Sequence, residues 1–211
     1  MKKYLLCAMM CVMTITSLVA QPRTSERKMW KTAKKQTREY VADGWKTDGL
    51  KPMSEYIFDT YLKLQDQNNQ EIVGTVQGAT SAKTLNQAKQ WAYTSAIVEY
   101  GKQARMMLRG RLTEEFGAGL ADSPSMDNFY EAYEALVVKE INGQIKKIFG
   151  IYRTKDDGTI DYRAYCLVNE ETAAESRIRA YERLKEEYDF IRDNAEVVAD
   201  FVRKGFEIDS F

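Results

Sequence analysis

One strand–turn–strand pattern narrows the choice of fold more than any other feature of this chain. Between Gln144 and Arg153 the positions Ile145, Ile148, Phe149, Ile151 and Tyr152 are apolar or aromatic. Lys155-Asp156-Asp157-Gly158 then supplies the polar residues and the glycine that a hairpin turn needs. On the far side Ile160, Tyr162, Ala164, Cys166 and Val168 occupy every second position. Side chains two apart on a strand share a face, so these five predict the buried face of a returning antiparallel strand. A hairpin alone is marginal in water, and this one must find further strands or helices to cover it.

The rest of the chain offers that cover. Glu71 to Ala79 is a candidate strand, with Ile72, Val73 and Val76 interrupted by Gly74 and Gly78. Glycine inside a strand marks a bulge or a close backbone approach. Ser81 or Thr84 opens a long helix in which Leu85, Ala88, Ala92, Ala96 and Tyr100, then Ala104, Met107, Leu108 and Leu112, recur on one stripe. So many alanines predict a helix lying close on a sheet. After a small, polar break at Gly117 to Pro124, Asp127 to Ile141 forms an amphipathic helix through Phe129, Tyr133, Leu136 and Val137. Beyond the hairpin, Glu170 to Gly205 carries a seam at Tyr181, Leu184, Tyr188, Ile191, Ala195, Val198 and Val202. Steps of three and four predict one long helix, packed mainly against its own domain.

Two helices come first. Thr24 to Asp43 places Met29, Ala33, Thr37, Tyr40 and Val41 at helical spacing, with Gly44 where a C-terminal cap belongs. A second helix opens at a Ser54 cap after Pro52 and carries Ile57, Phe58, Tyr61, Leu62 and Leu64, ending in the polar turn Asp66 to Gln70. The predicted class is α+β: a small antiparallel sheet in a β-α-α-β-β-α core, helices on one face, two N-terminal helices and a long C-terminal helix.

The N-terminus predicts export. Met1-Lys2-Lys3 is a positive start, Tyr4 to Ala20 is uncharged, and Gln21-Pro22-Arg23 follows. This is the pattern of a signal peptide with cleavage near Gln21, and the apolar run is too short to span a bilayer. Cys7 and Cys11 lack the small preceding residue of a lipidated cysteine, having Leu6 and Met10 instead. The expected division is a signal peptide over 1–20, a helical segment over 21–70 and an α+β domain over 71–211. The expected locale is the periplasm, the outer membrane surface or the exterior. Only Cys166 is left after cleavage, so no internal disulfide is expected and an ordinary core must hold the fold.

Composition limits the chemistry. The chain has no histidine, which removes the commonest general base and metal ligand and every Ser-His or Cys-His nucleophile pair. Lysine plus arginine equals aspartate plus glutamate at 31 each, against the basic excess of a nucleic-acid binder. Gly74 to Thr80 lacks the lysine of a phosphate loop. Asp156, Asp157 and Asp161 lack calcium-loop spacing and fit a hairpin turn. Glu114, Glu115, Glu131, Glu134, Glu170 and Glu171 leave a carboxylate pair as the open catalytic route, against the ordinary reading of solvated helix residues. Cys166 reads as a buried core thiol. No catalytic, cofactor-binding or metal-binding set is assigned. Two basic clusters stand out. Arg23, Arg27, Lys28, Lys31, Lys34, Lys35 and Arg38 line the first helix beside Glu26 and Glu39, as a solvated face or a contact for an anionic surface. Arg105, Arg109 and Arg111 lie near the end of the long helix, solvated or paired with Glu114 and Glu115.

The run Ile72-Val73-Gly74-Thr75-Val76-Gln77-Gly78-Ala79, followed by Ala88, Ala92, Ala96 and Ala104 on one helix and a later hairpin from Lys146 to Val168, resembles the lipoprotein-20-like family of bacterial envelope proteins. It is also similar to the N-terminal domain of the flagellar assembly protein FlgT. The stretch from Ala33-Lys34-Lys35 to Asp43-Gly44-Trp45-Lys46 looks like a leader found in exported relatives. The resemblance implies an envelope or extracellular scaffold and brings no catalytic residues. The expectation is an exported, non-catalytic interaction protein; the alternative is a carboxylate-dependent hydrolase acting on cell-surface glycan.

Overall fold

The computed structural model of the chain describes residues 25–121 and 123–206. The signal peptide, its cleavage point, Cys7, Cys11 and Arg23 lie outside the described residues. The elements in order are α1 (25–42), β1 (Lys46–Thr47), α2 (Met53–Lys63), β2 (Asn69–Val76), a short 3-10 turn (Gly78–Thr80), α3 (Leu85–Phe116), α4 (Ala118–Ala121), α5 (Pro124–Ile141), β3 (Lys146–Thr154), β4 (Ile160–Asn169), α6 (Glu170–Leu184), α7 (Asp189–Asp193) and α8 (Ala195–Lys204). The fold is α+β, with four antiparallel strands in the order β1-β3-β4-β2 packed against helices.

The predicted hairpin is β3–β4. Its turn closes through Lys155 N–H on the Thr159 carbonyl at 2.8 Å and Gly158 N–H on the Lys155 carbonyl at 2.9 Å, with Gly158 at a φ of 79° that suits glycine. Asp157 Oδ1 accepts from the Thr159 amide and hydroxyl, which is the turn role expected of it. On β4, Tyr162, Ala164, Cys166 and Val168 all face the α3 side and join the main core.

Cover lies on both faces of the sheet, whereas the sequence reading put it on one. The main core gathers α3, α5, α6 and α8 over Ile72, Val76, Tyr162, Ala164, Cys166 and Val168. A second cluster on the opposite face joins Ala33 of α1, Trp45, and Met53 and Ile57 of α2 to Phe149, Ile151 and Tyr165. The odd positions of β4 fall outside the alternation that predicts the buried face. They carry Tyr165 and Leu167, and two packed helices need that apolar surface. Trp45 is gripped between the guanidinium groups of Arg153 and Arg163, whose centres lie 4.8 and 4.7 Å from its ring.

α3 lies on the sheet as its alanines predicted. Ala88, Ala92, Ala96 and Ala104 are fully buried. Gly74 of β2 lets the two backbones meet: a Cβ there would stand 1.9 Å from the Ala92 carbonyl oxygen and 2.6 Å from the Ala96 nitrogen. Thr84 caps the helix by accepting the Gln87 amide.

Several expectations need correction. α2 begins at Met53 with Pro52 in the cap position and no side-chain cap, so Ser54 lies inside the helix. Val41 was placed on the inner side of α1 and is exposed. β1, two residues pairing with Ile151 and Tyr152, is too short to leave a sequence pattern. The predicted single C-terminal helix is three. Lys185 ends α6, Tyr188 is extended with φ −124° and ψ 110°, and α8 returns against α6, pinned by the Tyr181 hydroxyl on the Ala195 carbonyl at 2.8 Å. A straight helix over that span would be about 54 Å long and would carry Val198 and Val202 past the domain. Breaking it at the charged run Lys185-Glu186-Glu187 lets both halves of the seam bury in one core.

That seam is intramolecular: Tyr181, Leu184, Ile191, Val198 and Val202 are all buried in the chain's own core. Changing Leu184 and Ile191 together to Ala should lower the stability of the monomer by about 2–5 kcal/mol per site in urea unfolding. An unchanged midpoint with only a dimer-to-monomer shift in light scattering would refute it.

Candidate functional site

The fold commits each buried charge to a fixed partner. Asp48, in the loop after β1, accepts from Lys147 Nζ at 2.8 Å, from the Tyr162 hydroxyl and, through Oδ1, from the Gly150 amide at 3.1 Å; Lys89 Nζ of α3 stands 3.3 Å away. The absence of a side chain at Gly150 is what admits the Tyr162 hydroxyl, which a Cβ would meet at 1.8 Å. Burial alone would raise the Asp48 pKa. The hydrogen bonds from Lys147 and Tyr162 and the charges of Lys147 and Lys89 outweigh it and hold the carboxyl below its ordinary 3.8. The same surroundings push the Tyr162 phenol up, by burial first and then by the Asp48 carboxylate.

A depressed folded pKa makes the Asp48 contribution complete above the unfolded value and lost as pH falls through the folded one. Acid unfolding between about pH 5 and pH 2 should therefore be less steep in Asp48→Asn than in the parent chain. Equal slopes in urea melts across that range would contradict this account.

Asp161 is held by Arg153 Nη2 at 2.9 Å and the Ser81 hydroxyl at 2.5 Å, so Asp156, Asp157 and Asp161 do not converge. Glu134 pairs with Arg105 at 2.8 Å, and Glu170 with the fully buried Arg177 at 2.6 Å. Glu171 accepts from the Asn68 amide at 3.2 Å, while Glu114, Glu115 and Glu131 lie exposed. None of the six glutamates lines the cleft described below. Arg109 meets Asp127 at 3.3 Å and Arg111 reaches the Gly205 carbonyl at 3.1 Å, so this basic cluster pairs with α5 and the C-terminal turn rather than with Glu114 and Glu115. Cys166 is buried beneath the sheet, and burial pushes its thiol up to about 11 against a lowering from Lys147.

Two surface features bear on binding. Arg27, Lys28, Lys31, Lys34, Lys35 and Arg38 are exposed along α1. Lys34 Nζ lies 5.1 Å over the Trp30 ring, which packs edge-on against Phe58 of α2. Lys35 approaches Glu39 at 3.9 Å, a contact worth little at such exposure.

The other is a half-enclosed cleft of about 660 Å³ where the end of α2 meets the start of β2, the start of β3 and the end of β4. Its floor is Ile148, at the bulge of β3, and Leu167 of β4. Lys63 ends α2 on one side and Lys146 opens β3 on the other. Asn69, Asn169, Gln144 and Thr172 supply the remaining polar wall. Asn169 Oδ1 is spent on capping α6, accepting the Thr172 amide at 3.3 Å and its hydroxyl at 3.2 Å. Sequence reasoning missed this cleft, since its residues come from four separated segments and none carries a motif.

No protein-family model matches the chain, and no curated protein sequence does. Among solved structures it is similar to a hypothetical protein from Francisella tularensis, at 13% identity and a TM-score of 0.31, over 58% of this chain. The matched region spans 44% of the length of that protein.

Proposed function

We propose that the protein is an exported, non-catalytic interaction module of the bacterial envelope or exterior, and that it docks on an anionic surface through α1. The observation that carries this reading is the row Arg27, Lys28, Lys31, Lys34, Lys35 and Arg38, exposed on a helix that its aromatic side anchors to α2. The signal-peptide pattern and the resemblance to the lipoprotein-20-like family point to the same setting. The glycan-hydrolase alternative is less favoured: the polar lining of the cleft is lysine, amide and hydroxyl, and the groove between α1 and α2 that gathers Glu26, Glu55 and Asp59 is wide open, with Asp59 held by Lys51 at 3.2 Å.

Basic residues near an anionic lipid surface contribute about 1 kcal/mol each. Lys31→Gln, Lys34→Gln and Lys35→Gln together should weaken binding to vesicles rich in phosphatidylglycerol by about 100-fold. Added salt should weaken the parent in the same direction. Undiminished binding by the triple variant, or none by the parent, would defeat the proposal.

A further inference from the structure

We infer that the cleft bounded by Lys63, Lys146 and Leu167 is a binding site for an acidic saccharide. The inference stands apart from the docking role of α1, which lies outside the cleft lining.

Four features of the lining specify the ligand. Its volume of about 660 Å³ lies within the usual range for a small-molecule site. Lys63 and Lys146 both border it, and neither has an ion-pair partner among the described residues. Two cations with nothing to neutralise them across one small opening favour a negatively charged guest. Glu71 stands beside Leu167 in the next strand but does not line the cleft, and it lies close enough to Tyr61 to help push that phenol up.

The polar wall asks for hydroxyl groups. Gln144 Oε1 is buried with no hydrogen-bond partner among the described residues, a costly state for an acceptor. Gln144 is part of the cleft lining, so a ligand hydroxyl entering there can supply the donor this oxygen lacks. Since Asn169 Oδ1 is occupied by Thr172, the Asn169 amide group offers only donors. Donors and acceptors mixed over a few ångströms suit a group that both gives and takes hydrogen bonds, as a sugar hydroxyl does.

The floor sets the shape. Ile148 and Leu167 give a narrow apolar strip that fits the C–H face of a pyranose ring. No aromatic side chain lines the cleft to stack a nucleobase. A uronic-acid sugar meets the three demands together: a carboxylate for the lysines, hydroxyls for the amides and a C–H face for the strip.

The test is a titration of the 15N-labelled protein with digalacturonate, with galactobiose as the neutral counterpart and inorganic phosphate as the anion without hydroxyl-bearing carbon. Digalacturonate should saturate and move the amide signals of Gln144, Lys146, Leu167, Asn169 and Thr172. Galactobiose and phosphate should each bind at least about 10-fold more weakly, because the first lacks the charge and the second lacks both the sugar hydroxyls and the C–H face. Lys146→Gln should weaken digalacturonate binding at least about 10-fold, while Lys34→Gln on α1 should leave it unchanged. Both substitutions are on exposed side chains, so folding is not at issue. Shifts confined to α1, phosphate binding as tight as digalacturonate, or an unaffected Lys146→Gln would each overturn the assignment. No vesicle binding by the parent chain, with digalacturonate binding present, would strike the docking proposal and leave this one standing.

Discussion

Gly74→Ala should destabilise the protein at or beyond the upper end of the roughly 1–3 kcal/mol expected for overpacking. The added Cβ would fall 1.9 Å from the Ala92 carbonyl oxygen and 2.6 Å from the Ala96 nitrogen. Both are backbone atoms of α3, so no side chain can rotate out of the way. Either β2 leaves its register with β4 or α3 lifts off the sheet, and each movement opens the core around Ile72, Ala164 and Tyr100. The same substitution at Gly110, also on α3, meets nothing within 4 Å. There it should stabilise by about 0.4–1 kcal/mol through the unfolded chain and better helix propensity. Urea unfolding of the two variants should therefore move the midpoint in opposite directions, and a Gly74→Ala midpoint equal to the parent would mean that α3 does not approach β2 so closely.

Arg177→Ala should cost about 3–5 kcal/mol, the penalty for stranding one member of a buried ion pair. Arg177 is fully buried. Its Nη1 pairs with Glu170 at 2.6 Å and donates to the Tyr100 hydroxyl, its Nε donates to the Val202 carbonyl at 3.1 Å, and its guanidinium carbon lies 5.5 Å from the centre of the Phe206 ring. One side chain thus ties the start of α6 to α3 and to the end of α8. Burial opposes its charge, and the nearby Tyr100, Glu170 and Tyr133 more than offset that. The double change Arg177→Met with Glu170→Gln should recover part of the loss, because the carboxylate is then no longer stranded. A single variant as stable as the parent would show the pair to be dispensable.

How much of this was legible depended on the range of the signal. The hairpin and the alanine stripe of α3 are local patterns, and they stand where the sequence puts them; of the two candidate caps, Ser81 and Thr84, it is Thr84 that caps α3. The class followed from their order. Cover on the second face was missed because α1 and α2 bury only a few side chains each, among them Ala33, Met53 and Ile57, in a cluster shared with distant Phe149 and Tyr165. The break after α6 was missed because the seam keeps its spacing through the turn, so periodicity cannot report it. Arg177 was readable in hindsight, since it falls in step with buried Ala173, Ala180, Tyr181 and Leu184 on one side of α6. Asp48 left no signal, its partners Lys89, Lys147 and Tyr162 being far along the chain. The cleft is legible only in three dimensions.

The strand order also bears on when this chain can acquire its shape. β1 pairs only with β3, through Lys46↔Tyr152 and Thr47↔Ile151, and β2 only with β4, from Asn69↔Asn169 to Val76↔Tyr162. Each outer strand waits for a partner made about a hundred residues later, so the closing of long loops precedes any reward in buried surface. A ribosome that has released the segment up to α5 has produced helices and two strands with no sheet to join. The hairpin is the late-made piece on which the earlier ones assemble, and a nascent chain cut short before β3 has no shorter version of this sheet to fall back on.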